Sequence, residues 1–324
     1  MKIALVYTVE ENSENRPLNR HGAIQLQDTN QNICEALLSS GHEVINLPAD
    51  YQILQTLHQL KPDCIFNNCT GIHDKSSQPQ IAGLLELTGI PFTGSSQLIH
   101  SLALYKPLAK MVLQANGLPT PKFQVIRHPD QSLAADLRFP LIVKPEHEGS
   151  SIGISNDSIV YNQDDCLQKA KQILTTYQQP ALIEEFIVGR EFTVGVLGNS
   201  DPQVLPLVEI GFAEQAGFYS HSVKSKDGVA TICPTSVSPV IEKAINKAAL
   251  EAYGALGCAD YARIDVRLNQ HDQPQVIEIN TLPGLQKGFS DFPKAALVAE
   301  ISYQDMIGRI VELAVTRFHS TTDF

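Results

Sequence analysis

Between Ile3 and Phe92, short apolar runs alternate with stretches of helical periodicity, and this alternation restricts the fold more than any other feature of the chain. Residues 3–7, 44–47, 64–67 and 90–92 are short and almost wholly apolar, the pattern of strands buried on both sides. Helical stretches at 28–38, 51–60 and 81–87 separate them. The first carries Ile33, Ala36 and Leu37 on one face and stops at Gly41, and the second ends at Pro62. Strands apolar on both faces and separated by helices predict a parallel sheet with helices on either side. Residues 1–95 are therefore expected to form one α/β domain.

The rhythm changes after Gly94. Helices are expected at 97–104 and 106–116, ended by Gly117 and Pro119. Strands follow at 123–126 and 141–144, then a turn-rich stretch at 146–153, a helix at 165–177 and a strand at 182–186. No strand–helix–strand repeat runs through this part, so 96–186 reads as a central α+β domain. From 187 to 324 the expectation is a second α+β unit: strands at 192–197 and 204–210, a helix at 240–256, two more strands and a C-terminal helix at 303–315. Ile241, Ala244, Ile245, Ala248 and Ala252 form the buried stripe of the 240–256 helix. The long irregular stretch 211–234 is a candidate lid, since loops of that length inside a compact domain are uncommon and often functional.

Charge narrows the partners. The chain has 324 residues, with 24 Lys and Arg against 35 Asp and Glu, a net charge of −11. Such a balance repels a nucleic-acid backbone and an anionic membrane unless a basic patch is set apart, and no such patch is visible. No run of 18 apolar residues occurs and the stretch Lys2 to Tyr7 is too short for a signal-peptide core, so neither export nor membrane insertion is expected. The 6 cysteines show no C-x-x-C pairing, which fits neither a zinc cage nor a disulfide framework. A reducing cytoplasm is the expected location.

Three constellations could carry chemistry. In the strands 262–268 and 276–280, a period of two puts Arg263, Asp265 and Arg267 on one face of the first. In the second, Glu278 and Asn280 oppose Ile277 and Ile279. Face-to-face pairing would gather two carboxylates, an amide oxygen and a guanidinium. Mg²⁺ takes such oxygen donors and leaves positions for substrate phosphates. An ordinary hairpin with one wet face reads the same way, and the adjoining Pro283-Gly284 loop favours the metal site.

The second constellation is the strand ending at Lys144, with Gly149, Ser150, Ser151 and Gly153 after it. Its glycine amides and hydroxyls could cover a phosphate, or the segment is simply a turn. It is neither a Walker A loop nor a G-x-G-x-x-G turn. The third is the cluster Glu184, Glu185, Gly189, Arg190 and Glu191, which suits ribose hydroxyls and an adenine edge, or a charged surface turn. Lys106 and Lys224, taken singly, read as solvated charges.

Taken in order, Lys106, Val143-Lys144-Pro145, the Gly149–Gly153 segment, Glu184 to Glu191, Lys224, Arg263-Ile264-Asp265, Glu278-Ile279-Asn280-Thr281 and Pro283-Gly284 resemble the ATP-grasp fold, and within it the D-alanine–D-alanine ligase family, over nearly the whole chain. The resemblance implies a nucleotide between the second and third domains. Lys106 and Lys144 would then meet phosphates, and Glu184 with the Phe186 and Ile187 backbone would meet the adenine. Glu191 would hold the ribose, Phe218 would cover the base and Lys224 would reach the terminal phosphate. Ser151, Glu185 and Ile277 complete the implied ATP-binding set. Asp265, Glu278 and Asn280 would hold two Mg²⁺, with Mn²⁺ as an alternative. Arg263 and the Gly284 amide would stabilise a tetrahedral oxyanion, with Ser150 as a further catalytic residue.

The implied reaction is ATP-dependent joining of two amino acids through an acyl phosphate, serving peptidoglycan precursor synthesis. Small amino acids are then the expected substrates. A homodimer is among the expectations, since the ligases resembled dimerise through their first domain.

The departures lie in the amino-acid half. Where the family has a Gly-Gly turn and a glutamate after the first strand, Tyr7 leads into Thr8, Val9, Glu10 and Glu11. The family's histidine-glycine segment after the third strand is replaced by Asn67, Asn68, Cys69, Thr70 and Gly71, and the lid tyrosine by Ser225. The stretch from Gln286 to Pro293 is one residue longer than the family's, with Ser290 matched to the serine that binds the second substrate's carboxylate. A ligase for other amino acids or a small metabolite, an acyl-phosphate-forming kinase and a non-catalytic nucleotide-binding regulator are the alternatives. The Arg263 and metal set argues against the regulator.

Overall fold

The computed structural model describes residues 1–8, 20–72, 77–147, 153–211 and 231–321, with the backbone alone for 20–25, 156 and 321. Strands β1 (Lys2–Tyr7), β2 (Glu43–Pro48) and β3 (Cys64–Asn68) form a parallel sheet in the order β2-β1-β3. Helices α1 (Arg20–Ser39), α2 (Ile53–Leu60) and α3 (Gln78–Glu86) accompany it. Ile3, Leu5 and Phe66 pack on Ile33 and Leu37 of α1. Ala4, Val6 and Ile65 pack on Ile53, Leu57, Ile81 and Leu85 from the other side. Burial on both faces is the reason these strands read as unbroken apolar runs. Two details differ from expectation. Helix α1 starts at Arg20 rather than at 28, and the expected strand at 90–92 is a single parallel bridge, Ile65 to Phe92.

The central sheet is antiparallel, in the order β4-β7-β5-β6, from β4 (Phe123–Ile126), β5 (Leu141–Pro145), β6 (Ile159–Val160) and β7 (Ala181–Glu185). Helix α6 (Gln163–Thr176) covers one face, burying Cys166, Ala170 and Ile173 against Leu141, Val143 and Ile183. The other face carries Lys144 and Glu184.

The largest sheet is antiparallel, in the order β11-β10-β8-β12-β13, with β9 added to β8. Its strands are β8 (Glu191–Leu197), β9 (Gln203–Val204), β10 (Val208–Ile210), β11 (Thr231–Ile232), β12 (Tyr261–Leu268) and β13 (Pro274–Asn280). The single strand expected at 204–210 is broken into β9 and β10, which pair with opposite ends of β8. Pro206, with no N–H to give a ladder, lies between them. Residues 212–230 of the expected lid lie outside the described residues.

One face of this sheet, with Val194, Ile264, Val266 and Ile279, packs on α7 (Pro239–Leu256) together with α4 (Gln97–Leu104) and α5 (Lys106–Ala115). The other face is covered at the Tyr261 end by α8 (Asp291–Val298), a helix not expected from the pattern, and by α9 (Tyr303–Thr321). There Phe292 meets the Tyr261 ring edge-on at 5.8 Å. Beyond Tyr261 the same face turns polar, with Arg263 and Asp265 half-exposed. Packing crosses the chain-order divisions at 95 and 186, since α4 and α5 join the large sheet's core while α9 shares a core with β1 and β3. Among the described residues no helix is long and apolar enough to cross a membrane.

Candidate active site

β12 and β13 pair so that Asp265 stands directly across from Glu278 and Arg263 across from Asn280. Like charges placed directly opposite repel across a ladder. Here each has its own cation. Arg263 donates from Nε to Asp265 Oδ1 at 2.9 Å and from Nη2 to Oδ2 at 2.8 Å. Lys106 Nζ, from the head of α5, lies 3.5 Å from Glu278 Oε1. Thr193 Oγ1 of β8 donates to Asp265 Oδ1 at 2.6 Å and Asn280 Nδ2 donates to Oδ2 at 3.0 Å. Burial works against the Arg263 charge, but Asp265 outweighs it, with Asp291 and Glu278 adding to the effect, and the guanidinium is held above its ordinary value.

The register slips between Asp265 and Val266, because Val266 pairs with Val276 and leaves Ile277 without a partner. Ile277 therefore does not share the core face with Ile279, as strict alternation predicts. The bulge turns it half-exposed, while Ile279 stays buried among Ile264 and Val266.

The central sheet contributes a second charged cluster, joined to the first through α5. Lys144 and Glu184 are diagonal neighbours across β5 and β7, with Lys144 Nζ 2.8 Å from Glu184 Oε2. Lys110 is the residue that sequence reasoning missed. It lies one helical turn beyond Lys106, is 1 % exposed, and brings Nζ within 3.0 Å of Glu184 Oε1. The i, i+4 spacing of two lysines on a helix with Ala109 and Leu113 buried was the available signal. Burial disfavours the Glu184 charge, yet Lys110 and Lys144 together hold its carboxyl below the usual range. Helix α5 thus reaches a carboxylate on each of two sheets, Glu278 through Lys106 and Glu184 through Lys110.

Glu185 does not join this cluster and accepts from the Arg138 N–H at 3.0 Å. Phe186 lies beneath the Arg267 guanidinium, 4.6 Å from its ring centroid, and Ile187 is half-buried in the segment joining β7 to β8. Arg267 donates to the Gly189 carbonyl at 3.1 Å and stands 3.3 Å from Glu191. A Cβ on Gly189 would come within 2.0 Å of the Leu268 carbonyl, so only glycine lets the turn approach β12. Burial pushes the Glu191 carboxyl up to about 7, further than Arg267 pulls it down, and Asp265 adds to the rise. Burial lowers Arg267 in turn.

At the amino-acid end, Ser290 Oγ accepts from the Gln286 N–H at 3.1 Å and would lie 2.9 Å from a Cβ on Gly284. Ser290 and the Gly284 loop are therefore side by side. Thr8 Oγ1 donates to the Gly71 carbonyl at 2.9 Å and accepts from the Thr70 N–H at 2.9 Å, closing β1 onto the segment after β3. Asn68 donates to Asn30 at 2.7 Å, and Gln286 Nε2 donates to Asp28 Oδ2 at 3.2 Å. A second missed group is His100, fully buried on α4 with Nδ1 2.7 Å from Thr281 Oγ1 and 2.7 Å from Gln78 Nε2. Burial draws its pKa down to about 4. Ser150, Ser151, Phe218, Lys224 and Ser225 lie outside the described residues.

Among the described residues no group of three or more His, Cys, Asp and Glu is placed to hold an ion alone. Two facing carboxylates and an amide are instead the donor set that suits Mg²⁺ when substrate phosphates complete the shell.

Comparison with known proteins identifies the family. Residues 112–312 match the family model described as D-ala D-ala ligase C-terminus. A D-alanine–D-alanine ligase of Carboxydothermus hydrogenoformans is 35% identical over 298 residues, covering 89% of this chain and 92% of that protein. An uncharacterized protein, y4sG, of Sinorhizobium fredii is also 35% identical, over 297 residues, covering 88% of this chain and 87% of that protein. The crystal structure of the D-alanine–D-alanine ligase from Bacillus anthracis complexed with ATP superposes with a TM-score of 0.78 at 23% identity, covering 99% of each chain. With the fold, the matched C-terminal region and the relatives in agreement, the chain belongs to the D-alanine–D-alanine ligase family.

Proposed function

We propose that this chain is an ATP-dependent ligase that joins two amino acids, D-alanine in both positions, for peptidoglycan precursor synthesis in the cytoplasm. The carrying observation is the convergence of Arg263, Asp265, Glu278 and Asn280 on one sheet face, with Lys106 on Glu278 and Lys144 on Glu184 of the central sheet. The first amino acid's carboxylate oxygen takes the terminal phosphoryl group of ATP, and ADP leaves. The second amino acid's free amine then attacks the acyl carbon, the C–N bond forms, the C–O bond breaks with its electron pair going to phosphate, and the ammonium proton is lost.

Asp265, Glu278 and Asn280 would hold two Mg²⁺ or Mn²⁺, which neutralise charge on the transferring group when bound. Arg263 and the Gly284 amide face the developing oxyanion. Lys106 and Lys144 meet phosphates, Glu184 with the Phe186 and Ile187 backbone meets the base, and Glu191 meets the ribose. Ser290, beside Gly284, is set to take the second substrate's carboxylate. The roles of Ser150, Ser151, Phe218, Lys224 and Ser225 are proposed from the family resemblance, as are the divisions 1–95, 96–186 and 187–324 and a homodimer through the first domain. Alignment of two bound substrates lowers a barrier by about 7–11 kcal/mol, so little covalent work falls to the protein.

A second reading keeps the reaction and changes the amino acids. The neutral wall of Thr8, Asn68 and Asn30, with Asp28 as the nearby described carboxylate, favours it. The test is phosphate release from ATP and Mg²⁺ with all pairs of D- and L-amino acids, followed by mass analysis. D-alanyl-D-alanine as the dominant product supports the first reading. Another dipeptide supports the second, and release of phosphate without an amide product would overturn both.

A further inference from the structure

Two lysines converge on one buried carboxylate, and each takes its own oxygen. Lys144 Nζ is 2.8 Å from Glu184 Oε2 and Lys110 Nζ is 3.0 Å from Oε1. The three side chains are nearly closed to solvent, at 5 %, 1 % and 2 % exposure. Burial works against the Lys110 charge and Lys144 adds to that, while Glu184 supports it, so the lysine depends on this carboxylate. Its two cations are held differently. Lys110 also donates to Thr120 Oγ1 at 2.9 Å, and that hydroxyl donates to the Val276 carbonyl of β13 at 2.8 Å, so its Nζ is tied to the large sheet. Lys144, by contrast, is on β5 of the central sheet, the same sheet as Glu184.

We infer that Lys110 is a positioning residue for ATP: as the fixed counter-ion of Glu184, it releases Lys144 to the phosphates. This rests on the reading that Lys144 and Glu184 serve ATP. When Lys144 turns to a phosphate, a buried carboxylate loses one of its two partners. An uncompensated buried charge is strongly unfavourable. With Lys110 in place Glu184 stays paired, and without it Lys144 is held back by Glu184.

The effect falls on the phosphate end of the nucleotide, which makes it separable from simple damage. In the full chain with Mg²⁺, Lys110→Met is expected to raise the Kd for ATP tenfold or more while the Kd for adenosine changes less than threefold. Lys110→Arg is expected to restore most of the ATP affinity. A second comparison avoids stranding a buried carboxylate. Relative to Glu184→Gln alone, the Lys110→Met/Glu184→Gln pair is expected to bind ATP within twofold, because nothing remains to hold Lys144.

Equal loss of ATP and adenosine in Lys110→Met, or no loss of either, would overturn the inference. So would a selective loss of ATP when Lys110→Met is added to Glu184→Gln, which would mean direct phosphate contact. If Lys110→Met does not fold, the comparison in the Glu184→Gln background decides alone. Failure of the unaltered protein to bind ATP would instead remove the reading beneath it.

Discussion

Arg263 and Asp265, two positions apart on β12, lie fork to fork, with Nε to Oδ1 at 2.9 Å and Nη2 to Oδ2 at 2.8 Å. A lysine cannot reproduce this planar pairing. Arg263 thereby orients the carboxylate proposed for metal binding while its own charge stays fixed against it. Arg263→Lys is expected to lower kcat by about 10²–10³-fold, the scale of losing one oxyanion donor, with the KM for ATP changed only a few-fold. Steady-state kinetics with varied ATP would show a different role if KM moved and kcat did not.

Glu278→Gln removes one of the two facing carboxylates at a side chain that is 26% exposed. Turnover of Mg·ATP is expected to fall by about 10²-fold or more, on the scale of other losses of transition-state charge stabilisation. The urea midpoint should shift by no more than about 0.5 kcal/mol equivalent, as for other substitutions away from the core. Full activity in this variant would remove Glu278 from the metal set.

Two buried groups tilt stability with pH in opposite directions. Glu191, raised from 4.5 to about 7, keeps its proton in the folded chain where the unfolded chain has lost it. Its stabilising contribution is present below pH 4.5 and is lost as pH rises through 7, about 3 kcal/mol at most. His100, lowered from 6.5 to about 4, is neutral in the folded chain where the unfolded chain is charged. Its contribution is present above pH 6.5 and is lost as pH falls through 4, again at most about 3 kcal/mol. Urea titrations across this range should show stability rising more steeply with pH in Glu191→Gln than in the unaltered chain, and falling in His100→Gln relative to it. Parallel curves for all three proteins would contradict both assignments.

Gly189→Ala places a methyl group 2.0 Å from the Leu268 carbonyl. The turn must retreat from β12, at a cost of about 1–3 kcal/mol. Because Arg267 donates to the Gly189 carbonyl and faces Glu191, ATP affinity should fall along with stability. Thermal melting and an ATP titration check both, and an unchanged melt would show that the turn has slack.

The hairpin of β12 and β13 was legible because a strand's side chains alternate with a period of two, and Arg263, Asp265, Glu278 and Asn280 obey it. Ile277 was not, since a bulge changes facing without changing composition. Lys110 and His100 were not legible either. Each reads as an ordinary helical residue until a second element closes over it, Lys110 meeting Glu184 from another sheet and His100 meeting Thr281.

Local periodicity and turn chemistry act within a few residues, so the chain's own order determined the strands of the first sheet, the lysine at the end of β5 and the facing of the carboxylates. Burial and charge pairing act through space. Which lysine pairs with which carboxylate, where a sheet face passes from apolar at Tyr261 to polar at Arg263, and how Gln286 comes to meet Asp28 depend on separations of a few ångströms between residues distant in sequence, and only the packed molecule decides them.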